Sequence, residues 1–236
     1  MHSATPLTDR AALYAQLRAG ASELGLALSV EASERLLDYV ELLARWNATY
    51  NLTAVRAPAG MVTRHLLDSL ALAPHVRGET LIDLGTGAGL PGIPLAILDE
   101  ERAVTLVDSN GKKTRFLREA VRALRLRNVR IVQARAEDVV GTFDCVVARA
   151  FASIAELLAV GGHLLARDGV CLAMKGLLKF DEITALPPGF EVAEVLPLSV
   201  PGLGAARHVV IIRAIIPDRE DQEAALRGRT SQKERT

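Results

Sequence analysis

The feature that most constrains this chain is a change of hydrophobic period near residue 80. Before it, apolar residues recur at helical spacing, as in Leu36, Leu37, Val40 and Leu43, and again in Leu66, Leu67 and Leu70. After it, short β-rich runs alternate with longer helical ones. That alternation is the signature of right-handed βαβ crossovers, so a parallel sheet covered by helices is expected. The strand candidates are TLIDL, VTLVD, VRIVQ, FDCVVA and GVCLAMK, with helices near 91–99, 111–125 and 153–165. Two further β-like runs, EVAEVLPL and RHVVIIRAI, flank the Pro-Gly-Leu-Gly turn at 201–204 and read as an antiparallel hairpin closing one sheet edge. Breaks near Ser29 and at Ala57-Pro58 divide the N-terminal part into three expected helices. The chain thus divides into a helical extension over 1–75, a core over 76–216 and a flexible tail over 217–236, where acidic and basic residues mix without an apolar pattern.

Basic and acidic residues balance at 28 each, so no global field draws the chain to a polyanion or a membrane. Any such affinity must come from local clustering. The start, MHSATPLTDR, has no apolar signal core, and no apolar run is long enough to span a bilayer, so a cytoplasmic protein without membrane contact is expected. Cys145 and Cys171 each sit in an apolar run and read as buried thiols rather than a disulfide or metal site. No metal is expected.

The sharpest local signal is the run Asp83-Leu84-Gly85-Thr86-Gly87-Ala88-Gly89-Leu90-Pro91, where the first strand should turn into a helix. Glycines there permit positive φ and let a ligand approach the backbone. A dinucleotide fingerprint needs a third glycine three positions after the second, but that place is Leu90. The Gly-x-Gly-x-Gly spacing weakens a dehydrogenase reading. It suits S-adenosylmethionine, which has no pyrophosphate and whose cationic amino end matches Asp83. A tight turn without a ligand is the alternative for the glycines taken alone.

The next strand ends at Asp108, twenty-three positions after Gly85, placed to accept from both ribose hydroxyls. NAD would use the same carboxylate, so Asp108 does not separate the cofactors. After the third strand, Glu137 can accept from an adenine amine and the Ala136 N–H can meet the ring, although an acidic pair after a strand is also an ordinary solvated turn. Arg149, at the fourth strand tip, faces the crevice where open parallel sheets bind ligands. Its guanidinium cannot act as a base, so it must orient something anionic. Between 110 and 135 stand Lys112, Lys113, Arg115, Arg118, Arg122, Arg125, Arg127, Arg130 and Arg135 against the single acid Glu119. Arg115, Arg118, Arg122 and Arg125 fall in one helical stripe that can lie along a phosphate backbone, or can simply be a solvated helix face.

The strings Trp46-Asn47, Tyr50-Asn51-Leu52-Thr53-Ala54 and Arg64-His65-Leu66-Leu67-Asp68-Ser69-Leu70 carry a family resemblance. The Asp83 to Pro94 loop, Asp108-Ser109, Lys112-Lys113, Arg115-Phe116, Arg149-Ala150-Phe151-Ala152-Ser153, Lys175-Gly176 and Arg207-His208 continue it in order. Over about residues 40–214 the chain resembles the bacterial small-subunit ribosomal RNA guanine-N7 methyltransferases, also called glucose-inhibited division protein B. The resemblance implies a Rossmann-like class I S-adenosylmethionine-dependent methyltransferase fold, with the helical extension on the substrate side. It implies that Gly85, Leu90, Ala136, Glu137 and Arg149 line the cofactor pocket; with the reading of the loop and strand tips, the expected pocket is Asp83, Gly85, Gly87, Gly89, Leu90, Asp108, Ser109, Ala136, Glu137 and Arg149, with Arg149 also the catalytic candidate. Expected RNA contacts are Tyr50, Asn51, Arg64, His65, Lys112, Lys113, Arg115, Arg118, Arg122, Phe151, Arg207 and His208, with Asp68 a further possibility. The partner is small-subunit ribosomal RNA or the small ribosomal subunit, met by a monomer. Two rival readings stay open: a methyltransferase acting on another RNA or a small molecule, and a ribosome-binding assembly factor that has lost transfer.

Overall fold

The computed structural model describes residues 9–215. The expected tail from 217 onward lies outside them. Seven strands form one mixed sheet in the order β3-β2-β1-β4-β5-β7-β6. The five parallel strands are β1 (Thr80–Leu84), β2 (Ala103–Val107), β3 (Val129–Val132), β4 (Phe143–Arg149) and β5 (Leu165–Lys175). β6 (Phe190–Pro197) and β7 (His208–Ala214) close the edge as the expected hairpin, with β7 antiparallel to both β5 and β6.

Period-two alternation divides the strand side chains between two cores. Leu81, Leu106, Val147 and Leu172 join the core on one face, and Ile82, Val107, Val146 and Cys171 join the core on the other. The first core also holds Leu13, Leu17, Leu36, Leu37 and Leu43 from α1 (Arg10–Glu23) and α2 (Val30–Tyr50). The N-terminal helices are therefore packed into the same apolar mass as the sheet. Each starts on a side-chain cap, Asp9 on Ala12 N and Ser29 on Ala32 N. The third helical stretch begins at Pro58 as α3 (Pro58–Met61) and runs through a π-helical segment (Val62–Leu67) into α4 (Asp68–Leu70). π-Helical turns widen a helix by one residue and commonly mark functional positions; this one carries Arg64 and His65.

On the core side of the crossovers, α5 (Gly92–Leu98) follows the glycine loop and α6 (Gly111–Ala123) follows β2. α6 stops short of the expected residue 125 because Arg125 takes φ 55 and Leu126 N donates back to Val121 O, an ending that releases the chain toward β3. α7 (Ile154–Gly161) is also shorter than expected, passing into a 3-10 turn at Gly162–Leu164, and α8 (Phe180–Thr184) is a single short helix between β5 and β6. Cys145 and Cys171 are free and buried on adjacent strands, and burial pushes the Cys145 thiol up to about 12. Among the described residues no helix is long and apolar enough to cross a membrane.

At Gly92 helix and sheet approach closely: a Cβ there would stand 2.3 Å from Leu106 Cδ2 and 2.8 Å from Asp83 Oδ2. Both neighbours are buried and cannot withdraw. Gly92→Ala is expected to lower the unfolding free energy by about 1–3 kcal/mol, the usual cost of overpacking, as measured by urea denaturation.

Candidate active site

The order of the strands reverses between β1 and β4, and the crevice opens outside their carboxyl ends. Two clefts meet there. The first, of about 340 Å³, is lined by Gly85, Asp108, Ser109, Lys113, Ala136, Glu137 and Phe151, with Val107 and Val160 as apolar floor. The second, of about 590 Å³, is lined by Arg64, His65, Arg149, Phe151, Lys175, Lys179 and Arg207. Phe151 belongs to both, so one ring forms the wall between a cleft of mixed charge, with Asp108, Glu137 and Glu156 against Lys113 and Arg135, and a cleft lined mainly by cations. Ala150, at the turn that carries it, takes φ 67, a left-handed conformation uncommon outside glycine.

Asp83 organises the loop beneath the first cleft. It is wholly buried, and its Oδ2 accepts from Thr86 Oγ1 at 2.5 Å and Gly92 N at 2.8 Å. Its Oδ1 is buried without a hydrogen-bond partner. Desolvation lifts its pKa to about 7, against the pull of the Thr86 and Gly92 bonds. Thr86 N in turn bonds Val107 O, and Gly87 N donates to Asp108 Oδ2 at 2.9 Å, so the loop is stitched to the end of β2. Asp108 Oδ1 accepts from Asn110 N. A carboxylate can accept about four hydrogen bonds, so Asp108 is held by its backbone partners with capacity left for a ligand.

These groups fit an adenosyl compound with a cationic end. Gly85, at φ +64, presents open backbone whose Cβ would lie 3.5 Å from the Phe151 ring. Asp108 and Glu137 supply acceptors at successive strand tips, and Asp83 holds the loop in shape beneath them.

The structure places the other expected cofactor residues around this cleft or away from it. Asp83 supports the loop from within the core instead of lining the cleft. Leu90 is buried in the core, and Gly89 packs so closely that a Cβ would meet Ile93 and Leu117; neither lines the first cleft, nor does Gly87, whose role is its N–H on Asp108. Arg149 faces the second cleft, because its Nη1 is drawn to Asp68 Oδ2 at 3.2 Å and to Arg64 O at 3.3 Å. Ser109, Ala136 and Glu137 stand in the first cleft with Gly85 and Asp108.

On the expected RNA side, Arg64, His65, Phe151 and Arg207 come together in the second cleft. Asp68 fastens two of its walls: the carboxylate is wholly buried and takes Arg207 Nε at 2.6 Å besides Arg149. His65 is almost wholly buried, with Nε2 2.8 Å from Thr53 Oγ1 and Nδ1 3.0 Å from Arg64 O. Burial, with the Arg149 cation nearby, pushes its pKa down to about 4, so the ring is neutral at pH 7 and both nitrogens are engaged. Asn47 clasps the same Thr53 to Val55 loop, accepting from Thr53 N and donating to Val55 O.

Other expected RNA contacts lie elsewhere. Lys113 lines the first cleft 3.5 Å from Asp108. Tyr50 stacks on Trp46, centroids 5.2 Å apart, and Asn51 takes φ 50 to end α2 while its Oδ1 accepts from Arg56. His208 Nδ1 is tied to Gly176 O at 2.9 Å. Lys112, Arg115, Arg118 and Arg122 are exposed on α6. Arg122 pairs with Glu119, and Arg125 falls outside the stripe because the helix has already ended. The sequence reading missed Tyr39, whose hydroxyl donates to Ala88 O at 2.8 Å and joins α2 to the glycine loop; an isolated tyrosine at a core position of a helix gives no sign of such a reach. It also gave no role to Lys175 and Lys179. Among the described residues no group of side chains is arranged to hold a metal ion.

A doubly wound sheet with a glycine turn at the switch point and acidic tips on the next two strands defines a Rossmann-like class I methyltransferase fold. Solved structures share it: the ribosomal protein L11 methylase of Lactobacillus delbrueckii subsp. bulgaricus has a TM-score of 0.52 at 19% identity, over 64% of this chain and 77% of its own. TrmN from Thermus thermophilus has the same TM-score and identity over 89% of this chain and 80% of its own. A family model described as GidB, rRNA small subunit methyltransferase G, matches residues 32–210, and the chain belongs to that family. Relatives named ribosomal RNA small subunit methyltransferase G are 58% identical in Xanthomonas euvesicatoria pv. vesicatoria, over 75% of this chain and 85% of the relative, and 54% identical in Stenotrophomonas maltophilia K279a, over 86% and 95%.

The raised pKa of Asp83 has a consequence for stability. From about pH 4 to 7 the folded protein holds a proton that the unfolded chain releases, so this group makes stability fall as pH rises. Asp83→Asn removes that slope, while the opposite slope from neutral His65 is common to both proteins and cancels. The stability of the variant relative to the parent is expected to climb between about pH 4.5 and about pH 7.5 in urea denaturation; a constant difference would show that Asp83 is ionised throughout.

Proposed function

We propose that this protein transfers the methyl group of S-adenosylmethionine to N7 of a guanine in small-subunit ribosomal RNA. The observation that carries the reading is the pair of clefts joined at Phe151, one lined by Gly85 with the acceptors Asp108 and Glu137, the other ringed by cations. The substrate class is supported by the relatives, whose names give small-subunit ribosomal RNA as their target.

On this reading Asp108 accepts from the ribose hydroxyls, Glu137 from the adenine amine, and the Ala136 N–H meets the ring, with Ser109 beside them. Gly85 leaves room for the ligand, and Asp83 acts through the loop that it holds in shape. S-adenosylmethionine supplies an electrophilic methyl on a sulfonium. The RNA enters from the second cleft, where Arg64, Arg149, Lys179 and Arg207 face its phosphates or base oxygens. The exposed arginines of α6, Arg115, Arg118 and Arg122, with Lys112, extend that field and make binding salt-dependent.

The choice of nucleophile follows from what the second cleft offers. His65 is neutral with its lone pair engaged, Glu182 is paired with Lys175, and the other ionisable groups are cations. Such a cleft holds anions and has nothing poised to take a proton. Guanine N7 keeps an in-plane lone pair at neutral pH, so no proton need leave before attack. Catalysis then rests on positioning, which can remove roughly 7–11 kcal/mol of barrier. A donor aimed at N7 would block attack, so Arg149, restrained by Asp68, acts on O6 or a phosphate. Phe151 is the platform against which the unstacked purine rests.

The decisive experiment offers labelled S-adenosylmethionine with small subunits, protein-free small-subunit ribosomal RNA and transfer RNA, then maps the labelled base. Label at a guanine N7 of the small-subunit RNA is expected; label only on transfer RNA would overturn the substrate. Gly85→Asp should abolish cofactor binding in titration calorimetry by filling the first cleft, and unchanged affinity would refute that pocket. Reversing Arg118 and Arg122 to glutamate should weaken RNA binding about ten-fold near 0.1 M salt while sparing the cofactor.

A further inference from the structure

The segment that follows β5 is fastened down yet keeps two large apolar side chains in solvent. Leu178, Ile183 and Leu186 pack into the second core, and Lys175 pairs with Glu182 while its ammonium also donates to Phe151 O and Ala152 O. Three inward side chains and a shielded ion pair fix the path of the backbone. Leu177 and Phe180 nevertheless stand 86% and 78% exposed. Phe116, Phe143, Phe151 and Phe190 are all buried or half-buried, so Phe180 is the phenylalanine whose ring is given to solvent. Leu177 and Lys179 line the second cleft, and Phe180 follows directly. Leu177 shares that cleft with Lys179, Arg64 and Arg207, and an apolar pair beside such cations matches a partner that joins negative charge to flat unsaturated faces, which is the chemistry of a single-stranded nucleic acid.

We propose that Leu177 and Phe180 form an apolar wedge at the mouth of the second cleft, Phe180 stacking on the nucleobase next to the one that enters. The inference rests on the proposed RNA substrate and extends it to a residue outside both clefts' chemistry. A purine that leaves its stack uncovers the face of its neighbour, and that face costs least when another ring covers it. Stacking is tolerant of base identity, so the wedge contributes affinity and holds the strand open, whereas the cleft itself reads the target.

Phe180→Ala and Phe180→Trp in the full chain test this, with protein-free small-subunit ribosomal RNA and intact small subunits as substrates and S-adenosylmethionine titrated separately. The alanine variant is expected to bind both substrates roughly ten-fold more weakly, with cofactor affinity unchanged. The tryptophan variant should restore binding, and its emission, read against the Trp46 signal of the parent, should be quenched as RNA stacks on the ring. An alanine variant that binds RNA and transfers like an active parent overturns the wedge and leaves the proposed function standing. A defect confined to intact subunits, or a blue shift without quenching, also overturns it, because the surface would then meet a ribosomal protein. A parent that labels no RNA removes the proposed function and the wedge together.

Discussion

The basic cleft depends on one buried carboxylate. Asp68 has no solvent contact, yet it bridges Arg149 at the tip of β4 and Arg207 just before β7. An ion without partners in that position would cost several kcal/mol, and two guanidinium groups within hydrogen-bond distance offset the cost. In return the carboxylate fixes both arginines in direction and joins the π-helical stretch to two strands that are distant along the chain. Arginine suits this task because its planar fork spends one edge on Asp68 and keeps other donors for the cleft.

The first cleft is also held by a buried carboxyl group. Asp83 is buried below the glycine loop and fastens Thr86 and Gly92, while Asp108 holds Gly87 from the next strand. Two carboxylates thus shape a loop that has almost no side chains of its own. Tyr39 reaches from α2 to the Ala88 carbonyl, so the N-terminal helices support both clefts, one through that hydroxyl and the other through Asp68. An open loop of glycines would otherwise have many conformations to lose on binding.

Legibility in the sequence followed range. The strands, their alternation and the closing hairpin were readable because side-chain period is a local property, and the Gly85 to Gly89 turn because its spacing is contiguous. Asp108 and Glu137 were readable because strand tips in a parallel sheet converge. The cleft that Lys113 and Arg149 each line was not legible, since a charge on a helix or strand end gives its position but not the direction of a long side chain. His65 looked like an RNA contact because polar residues in a run invite that reading, and its burial by the Thr53 loop depends on a contact twelve residues away.

By itself the sequence determined the layered sheet, the glycine turn and the family, because each is written in short-range spacing of apolar, glycine and acidic residues. Tertiary structure alone decided that the cations Arg64, Arg149, Lys175, Lys179 and Arg207 gather in a cleft that Phe151 divides from the one holding Asp108 and Glu137. It also decided that Asp68 is a strut and that Phe180 faces solvent. The reason is physical: ion pairs between Asp68, Arg149 and Arg207 span 81 and 139 residues, and no local pattern encodes which distant charge a buried carboxylate will meet.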